Sequence, residues 1–238
     1  MAPYSMIRPR IRKRQTTADF VLQALYLDIL QGEYQPGSFL RLNDVAEQLG
    51  VSIMPVREAI RELASLGIVD SIPNRGAQVR YLSLDDLVET YRARLYLETL
   101  AIRLATPLIT APQTQLAREA NDRRVAAAKS GETYNLLATH EAFHFQLYQA
   151  CNNPWIIKAI LPGWRNAERY RSFSLQNVEI QASLDSEHGR MLDAMEAQDS
   201  RRAVGILHHH LTTAAEAAAV RFEGTSIIDR LPSLSELI

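Results

Sequence analysis

All six histidines of this 238-residue chain fall between positions 140 and 210, and His140 and His144 stand four apart. On a helix that spacing puts both rings on one face, about one turn apart, where they can reach a single ion together. His188 and His210 belong to two further stretches of helical period, and ligands from facing helices converge in the core of a bundle. Imidazole suits zinc, nickel, iron or copper, whereas magnesium and calcium prefer oxygen. The same residues also fit histidines bonded to backbone, with His208-His209-His210 as a polar patch. Arg94 lies one turn from Glu98 and reads as an exposed ion pair. Arg165, Arg169 and Arg171, around Tyr170, add cations whose place the sequence leaves open.

The other candidate chemistry sits at the opposite end. Five of the ten cations in residues 1–80 fall within seven positions: Arg8, Arg10, Arg12, Lys13 and Arg14. Such a cluster is the footprint of a polyanion partner, although a solvated tail has the same composition. Further on, Arg57, Glu58, Arg61 and Glu62 share one face of a helical stretch, opposite the apolar stripe Val56, Ala59, Ile60 and Leu63. That face would carry guanidinium groups to base edges and phosphates in a major groove, or pair its own charges in solvent.

The elements that must position these residues follow from pattern. With 47% hydrophobic and 22% charged residues the chain is an ordinary globular one. One cysteine, Cys151, excludes a disulfide scaffold. No apolar run approaches the ~18 residues of a membrane span. The basic amino terminus lacks the apolar stretch of a signal peptide, so a cytoplasmic location is expected. Residues 1–80 carry 10 Lys/Arg against 8 Asp/Glu, and residues 81–238 carry 16 against 19, which divides the chain near position 80.

In the first part, Thr17-Ala-Asp19 caps one helix, Asn43 a second that Gly50 stops, and Pro55 suits the first turn of a third. Two short strands follow, Ile68–Ile72 and Ala77–Tyr81, joined by the turn residues Pro73-Asn74-Arg75-Gly76. This is a winged helix-turn-helix, with Asn74 and Arg75 at the wing tip. The second part shows only helical period, in blocks near 84–106, 112–130, 132–151, 153–162, 164–176, 178–197 and 200–222. Pro107, Gly131, Asn152-Asn153-Pro154, Pro162-Gly163 and Asp199 punctuate them. The expectation is a mostly α protein: a basic arm (1–15), a winged helix-turn-helix (16–81), an antiparallel all-α bundle of six or seven helices (82–224) and an irregular tail (225–238).

The run Gly50-Val-Ser-Ile-Met-Pro-Val-Arg-Glu-Ala-Ile-Arg-Glu-Leu63, then Gly67-Ile-Val and Pro73-Asn-Arg-Gly76, resembles the GntR family of bacterial transcriptional regulators. That family's motif reads roughly GVSRTPVREALRRL, with GLV and PNRGA after it. The resemblance implies double-stranded DNA as partner, contacted by Arg12, Arg41, Ser52, Pro55, Arg57, Arg61, Asn74, Arg75 and Gly76. It departs at Ile53 and Met54, where the family has Arg and Thr. Ile53 therefore forgoes a guanidinium contact and either touches a thymine methyl or packs.

Ala142-Phe143-His144, Glu187-His188 and His210-Leu211 resemble the FCD subgroup, whose pattern D-x-x-x-H, E-H, H binds a divalent metal. Arg94-x-x-Leu97-Glu98, Asn153-Pro154, Ala194, Asp199 and Ala203 fall in the same register. The resemblance implies His140, His144, His188 and His210 as ligands, with His140 in the place of the usual Asp and His210 chosen over its two neighbours. It implies zinc, with nickel as second candidate, and an Arg94 that faces a cavity and clamps a small carboxylate effector. A homodimeric, non-enzymatic regulator of a palindromic operator is thus expected. Two other functions fit the residues less fully: a zinc hydrolase using Glu141 or Glu187 as general base, and a constitutive DNA-binding protein whose bundle only dimerises.

Overall fold

A computed structural model describes residues 16–73, 75–130, 133–174 and 178–237. The basic arm with Arg12, the wing residue Asn74 and the expected break at Gly131 lie outside the described residues. The chain divides into two compact units, the first ending at Leu82 and the second beginning at Ser83.

The first unit contains α1 (Thr17–Leu30), β1 (Phe39–Arg41), α2 (Leu42–Leu49), α3 (Ile53–Ser65), β2 (Val69–Ile72) and β3 (Gly76–Val79). Helix α1 is capped one residue earlier than Thr17. The Thr16 hydroxyl accepts from the Asp19 N–H at 3.1 Å, and the Asp19 carboxylate accepts from the Thr16 N–H at 2.9 Å. This reciprocal box satisfies two amides that the helix itself cannot. Val21, Leu25, Val45, Val56, Ile60 and Leu63 are buried, so each apolar stripe faces a common core.

The wing holds a strand that the sequence pattern did not reveal. Both β1 and β2 pair antiparallel with the central β3, in the order β1-β3-β2. Three residues are too few to display a period of two, and β1 hands the chain directly into α2, which starts at Leu42 with Arg41 as its cap instead of Asn43. Gly76 is where the wing closes. Its φ is +120°, and a Cβ there would run into the Leu40 carbonyl oxygen. Gly76→Ala is therefore expected to cost at least about 2 kcal/mol and to separate β1 from β3. Amide exchange of the intact chain should show faster exchange in β1 and β3, and unchanged protection there would disprove this role for Gly76.

The second unit contains α4 (Leu84–Ala105), α5 (Ala111–Ser130), α6 (Thr133–Gln149), α7 (Pro154–Ser174), α8 (Val178–Glu196) and α9 (Ser200–Glu223). Six helices, among the described residues, form the bundle, with α4 packed on α7 and α9. The expected break at Pro162-Gly163 is absent, because α7 continues through Pro162. Pro162 removes one N–H, which the rest of a 21-residue helix tolerates. Gly163 serves proximity instead: a Cβ there would lie 3.3 Å from Arg94 Cγ, so its absence lets α7 approach α4.

The tail is ordered rather than irregular. It forms two 3-10 turns, Ile228–Arg230 and Leu234–Glu236, with Ile227 and Leu231 buried. The Ile227 N–H donates to Glu216 at 2.8 Å, and Arg230 reaches Asp85 at 2.7 Å.

Candidate functional site

The first unit gathers cations on one surface. Arg41, Arg57 and Arg75 line an open groove of about 690 Å³ together with Ile53 and Phe39. Arg57 and Arg61 also line a neighbouring groove of about 180 Å³, with Ser71, Pro73 and Gly76. Neither Arg57 nor Arg61 forms an ion pair with the described residues, so the acids on their helix do not consume them. Ser52 caps α3 by position, yet its hydroxyl makes no cap bond. Pro55 occupies the first turn of α3, half-buried, and Gly76 is buried within the wing. Gly76 thus shapes the wing and borders the smaller groove.

In the second unit α6 carries His140 and His144, α8 carries His188 and α9 carries His210, and all four rings are buried in one cluster. Their candidate ligand nitrogens lie within 4.8 Å of one another. Two nitrogens on one ion, each at ~2.1 Å, stand at most ~4.2 Å apart. His144 Nε2 and His188 Nε2, at 3.1 Å, already have ligand spacing, whereas the widest pair must close. The two histidines beside His210 are excluded by their surroundings. His208 donates from Nε2 to the Pro232 carbonyl at 3.0 Å, and the His209 side chain is 66% exposed.

The hydrogen bonds behind the rings decide which nitrogen is available. Tyr148 donates to Glu98 Oε2 at 2.5 Å, so its oxygen accepts from His144 Nδ1 at 3.1 Å. Glu187 Oε2 accepts from His210 Nδ1 at 3.0 Å. Both rings therefore carry the proton on Nδ1 and keep an Nε2 lone pair, the arrangement that orients metal ligands. His140 differs. A guanidinium can only donate, so Arg171 Nη1 at 2.7 Å makes His140 Nδ1 the acceptor and leaves the proton of the neutral ring on Nε2. Burial holds His140, His144 and His188 well below the ordinary histidine range, and the Arg171 charge adds to this for His140. Burial also lowers His210, against the pull of Glu187. All four rings are neutral near pH 7, as ligation requires.

A cavity of about 20 Å³ opens beside the cluster, lined by His140, His188, His210, Arg94, Arg124 and Arg171, among others. That volume admits one water-sized species. On its wall Tyr91 Oη, Glu168 Oε2 and His188 Nδ1 are buried with no hydrogen-bond partner among the described residues. Arg94 is not an exposed pair: it is 7% exposed, bonds Glu98 through Nε at 2.6 Å and Nη2 at 3.3 Å, and stacks over Tyr91 and Trp164. Arg171 belongs to the cavity, while Arg165 pairs with Glu141 at 2.8 Å and Arg169 bonds Asn166. Arg124 carried no signal in the sequence. Next to Arg123 it looks like a solvated charge, and only its burial at 1% exposure marks it.

Comparison with known proteins agrees with this architecture. Residues 17–79 match the gntR family of bacterial regulatory proteins, and residues 89–213 match the FCD domain. The chain is 31% identical over 206 residues to a "Probable D-xylose utilization operon transcriptional repressor" of Paenarthrobacter nicotinovorans, covering 87% of this chain and 90% of that protein. It is 26% identical to the HTH-type transcriptional repressor GlaR of Escherichia coli K12, over 78% of this chain and 88% of the relative. Among solved structures, E. coli McbR/YncC superposes with a TM-score of 0.72 at 24% identity, covering 82% of this chain and 93% of that one. No helix among the described residues is long and apolar enough to cross a membrane.

Proposed function

Because the chain belongs to the GntR family of bacterial regulatory proteins and carries that family's FCD domain, we propose that it is a homodimeric, ligand-responsive transcription regulator with a palindromic operator and a metal-containing cavity that senses a small organic acid. What carries the sensing half of this reading is the cavity wall. Three neutral histidines, His140, His188 and His210, and three guanidinium groups line a space on whose wall Tyr91 Oη, Glu168 Oε2 and His188 Nδ1 have no partner among the described residues, and such atoms call for a bound species.

His144, His188 and His210 are the ligands of a zinc ion, or of nickel, since neutral nitrogen donors suit both. When bound, the ion supplies a Lewis-acidic charge on which an anionic oxygen can settle. His140 joins the set only if Arg171 releases Nδ1 or if the Nε2 proton leaves. Arg171 and Arg124 add positive field, and Arg94 offers a carboxylate the part of its fork that Glu98 does not hold. An organic acid exceeds about 20 Å³, so it enters only as the helices around the cavity part. A ligand that prefers the parted packing shifts the population toward it, typically by 5–150-fold in coupled affinity. Four residues lie between the end of β3 and the start of helix α4, which bears Arg94, so little chain separates the sensing helix from the wing.

A hydrolytic reading is disfavoured by its own bases. Glu187 holds His210, and Glu141 is paired with Arg165. The curated relatives named above are transcriptional repressors.

Elemental analysis tests the metal directly. The purified chain should carry about one transition metal per protomer, and His144→Ala or His210→Ala should cut retention at least about tenfold. His140→Ala should lose less than either, and His208→Ala and His209→Ala should lose none. Equal loss for His209→Ala and His210→Ala would sink the assignment. For the DNA half, gel shifts on the promoter of its own gene should show a low-salt complex that a small carboxylate weakens or strengthens, and absence of any complex would end the regulator reading.

A further inference from the structure

Helix α3 opens with two large apolar side chains that the fold leaves in solvent. Ile53 is 41% and Met54 60% exposed, whereas the buried stripe begins at Val56. Packing does not hold them in place, so the choice between packing and contact that the sequence left open is decided against packing. They extend, toward the start of the helix, the same face that carries Arg57 and Arg61, because Ile53, Arg57 and Arg61 follow one another at intervals of four and Met54 stands three before Arg57 and seven before Arg61. Ile53 lines the 690 Å³ groove beside Arg41, Arg57 and Arg75, and Phe39, 59% exposed, stands on the same groove.

A groove with three guanidinium groups against one carboxylate, Asp44, which stands 3.9 Å from Arg41, and with an apolar patch, matches a polyanion that also displays apolar groups. Double-stranded DNA is that partner: phosphates flank the major groove, and the thymine C5-methyl is the main apolar group on its floor. A guanidinium at the start of α3 would seek guanine O6 and N7, which neither isoleucine nor methionine can do. We propose that Ile53 and Met54 read thymine methyl groups, so that each operator half-site carries A·T pairs where the start of α3 enters the major groove. The proposal rests on the regulator reading above and adds to it a base preference specific to this chain.

Selection of binding sites from random duplex DNA by the intact protein supplies the operator sequence directly. Thymines of the selected half-site are then replaced one at a time by deoxyuridine, which deletes only the methyl. Affinity should fall about fourfold for each contacted methyl, the worth of one buried methyl group. The Ile53→Ala, Met54→Ala double variant should bind more weakly and be indifferent to the same replacements, and a retained cooperative thermal transition shows that its fold survives the change. Ile53→Arg should move the selected base toward guanine. A selected operator whose affinity ignores every deoxyuridine, or a double variant that keeps the fourfold response, would overturn the methyl readout alone. A selection that enriches no sequence would overturn the regulator reading beneath it, so the two failures are distinguishable.

Discussion

Replacing Arg94 by alanine is expected to destabilise the helical unit by about 3–5 kcal/mol, well beyond the loss of a surface pair. The reason is what it leaves behind. Glu98 is fully buried, and Arg94 is its bidentate partner at 2.6 and 3.3 Å. An uncompensated carboxylate would remain in the core, where an unpaired charge costs far more than the pair contributes. The disturbance should also reach the histidines, since Glu98 accepts from Tyr148, which in turn accepts from His144 Nδ1. Adding Glu98→Gln to Arg94→Ala removes the stranded charge while retaining an acceptor for Tyr148, and should recover half or more of the loss. Both tryptophans, Trp155 and Trp164, lie in this unit, and Arg94 stacks over Trp164, so urea unfolding followed by tryptophan fluorescence reads the effect where it arises. A loss below about 1 kcal/mol for Arg94→Ala, no more than a surface pair contributes, would show that Glu98 finds another partner. Because of this cost, Arg94→Lys, which keeps a charge against Glu98 and gives up the fork, is the better variant for testing effector response.

Why this was hidden in the sequence has a simple physical form. An arginine and a glutamate four apart look the same on a solvated helix and on a buried one, and only the neighbours distinguish them. Gly163, which lets α7 close on Arg94, stands after a proline and so reads as a helix break. The winged helix-turn-helix was more legible because its signals are local: the turn Pro73 to Gly76, the stop at Gly50 and the stripe on α3 each act within a few residues. The choice of His210 over His208 and His209 was likewise carried by a pattern, and the described structure places only His210 with the cluster. The tautomer of His140 could not be foreseen, because it depends on Arg171, 31 positions away. Arg124 gave no signal, since its burial comes from helix packing and not from its own residue type.

The second large effect concerns acid. Without metal, the helical unit should lose on the order of a few kcal/mol of stability between pH 7.5 and 5.5, a large part of the stability of a typical domain. Burial, aided by neighbouring positive charge, lowers the folded-state pKa of His140, His144, His188 and His210. In the unfolded chain each titrates near 6.5. Below that pH the unfolded state binds protons that the folded state refuses, so stability falls as pH falls. Each ring that stays neutral in the fold forfeits on the order of 1 kcal/mol per pH unit below that point, until its folded pKa is reached, and His210, whose shift Glu187 opposes, contributes least. Glu141, raised by burial, acts in the opposite sense, but it is one group and its effect begins nearer its own ordinary range. A metal held by these rings should be released below pH 6.5, the point expected for an exposed histidine, because folded rings stay neutral further into acid. Urea titrations at pH 7.5, 6.5 and 5.5, read by tryptophan fluorescence with and without zinc, check both statements. Replacing His188, whose Nδ1 has no partner among the described residues, by phenylalanine should make the dependence on pH shallower. Stability of the metal-free protein that stays level from pH 7.5 to 5.5 would mean that the cluster takes up protons in the folded state, and the four rings could not then be the neutral donor set described above.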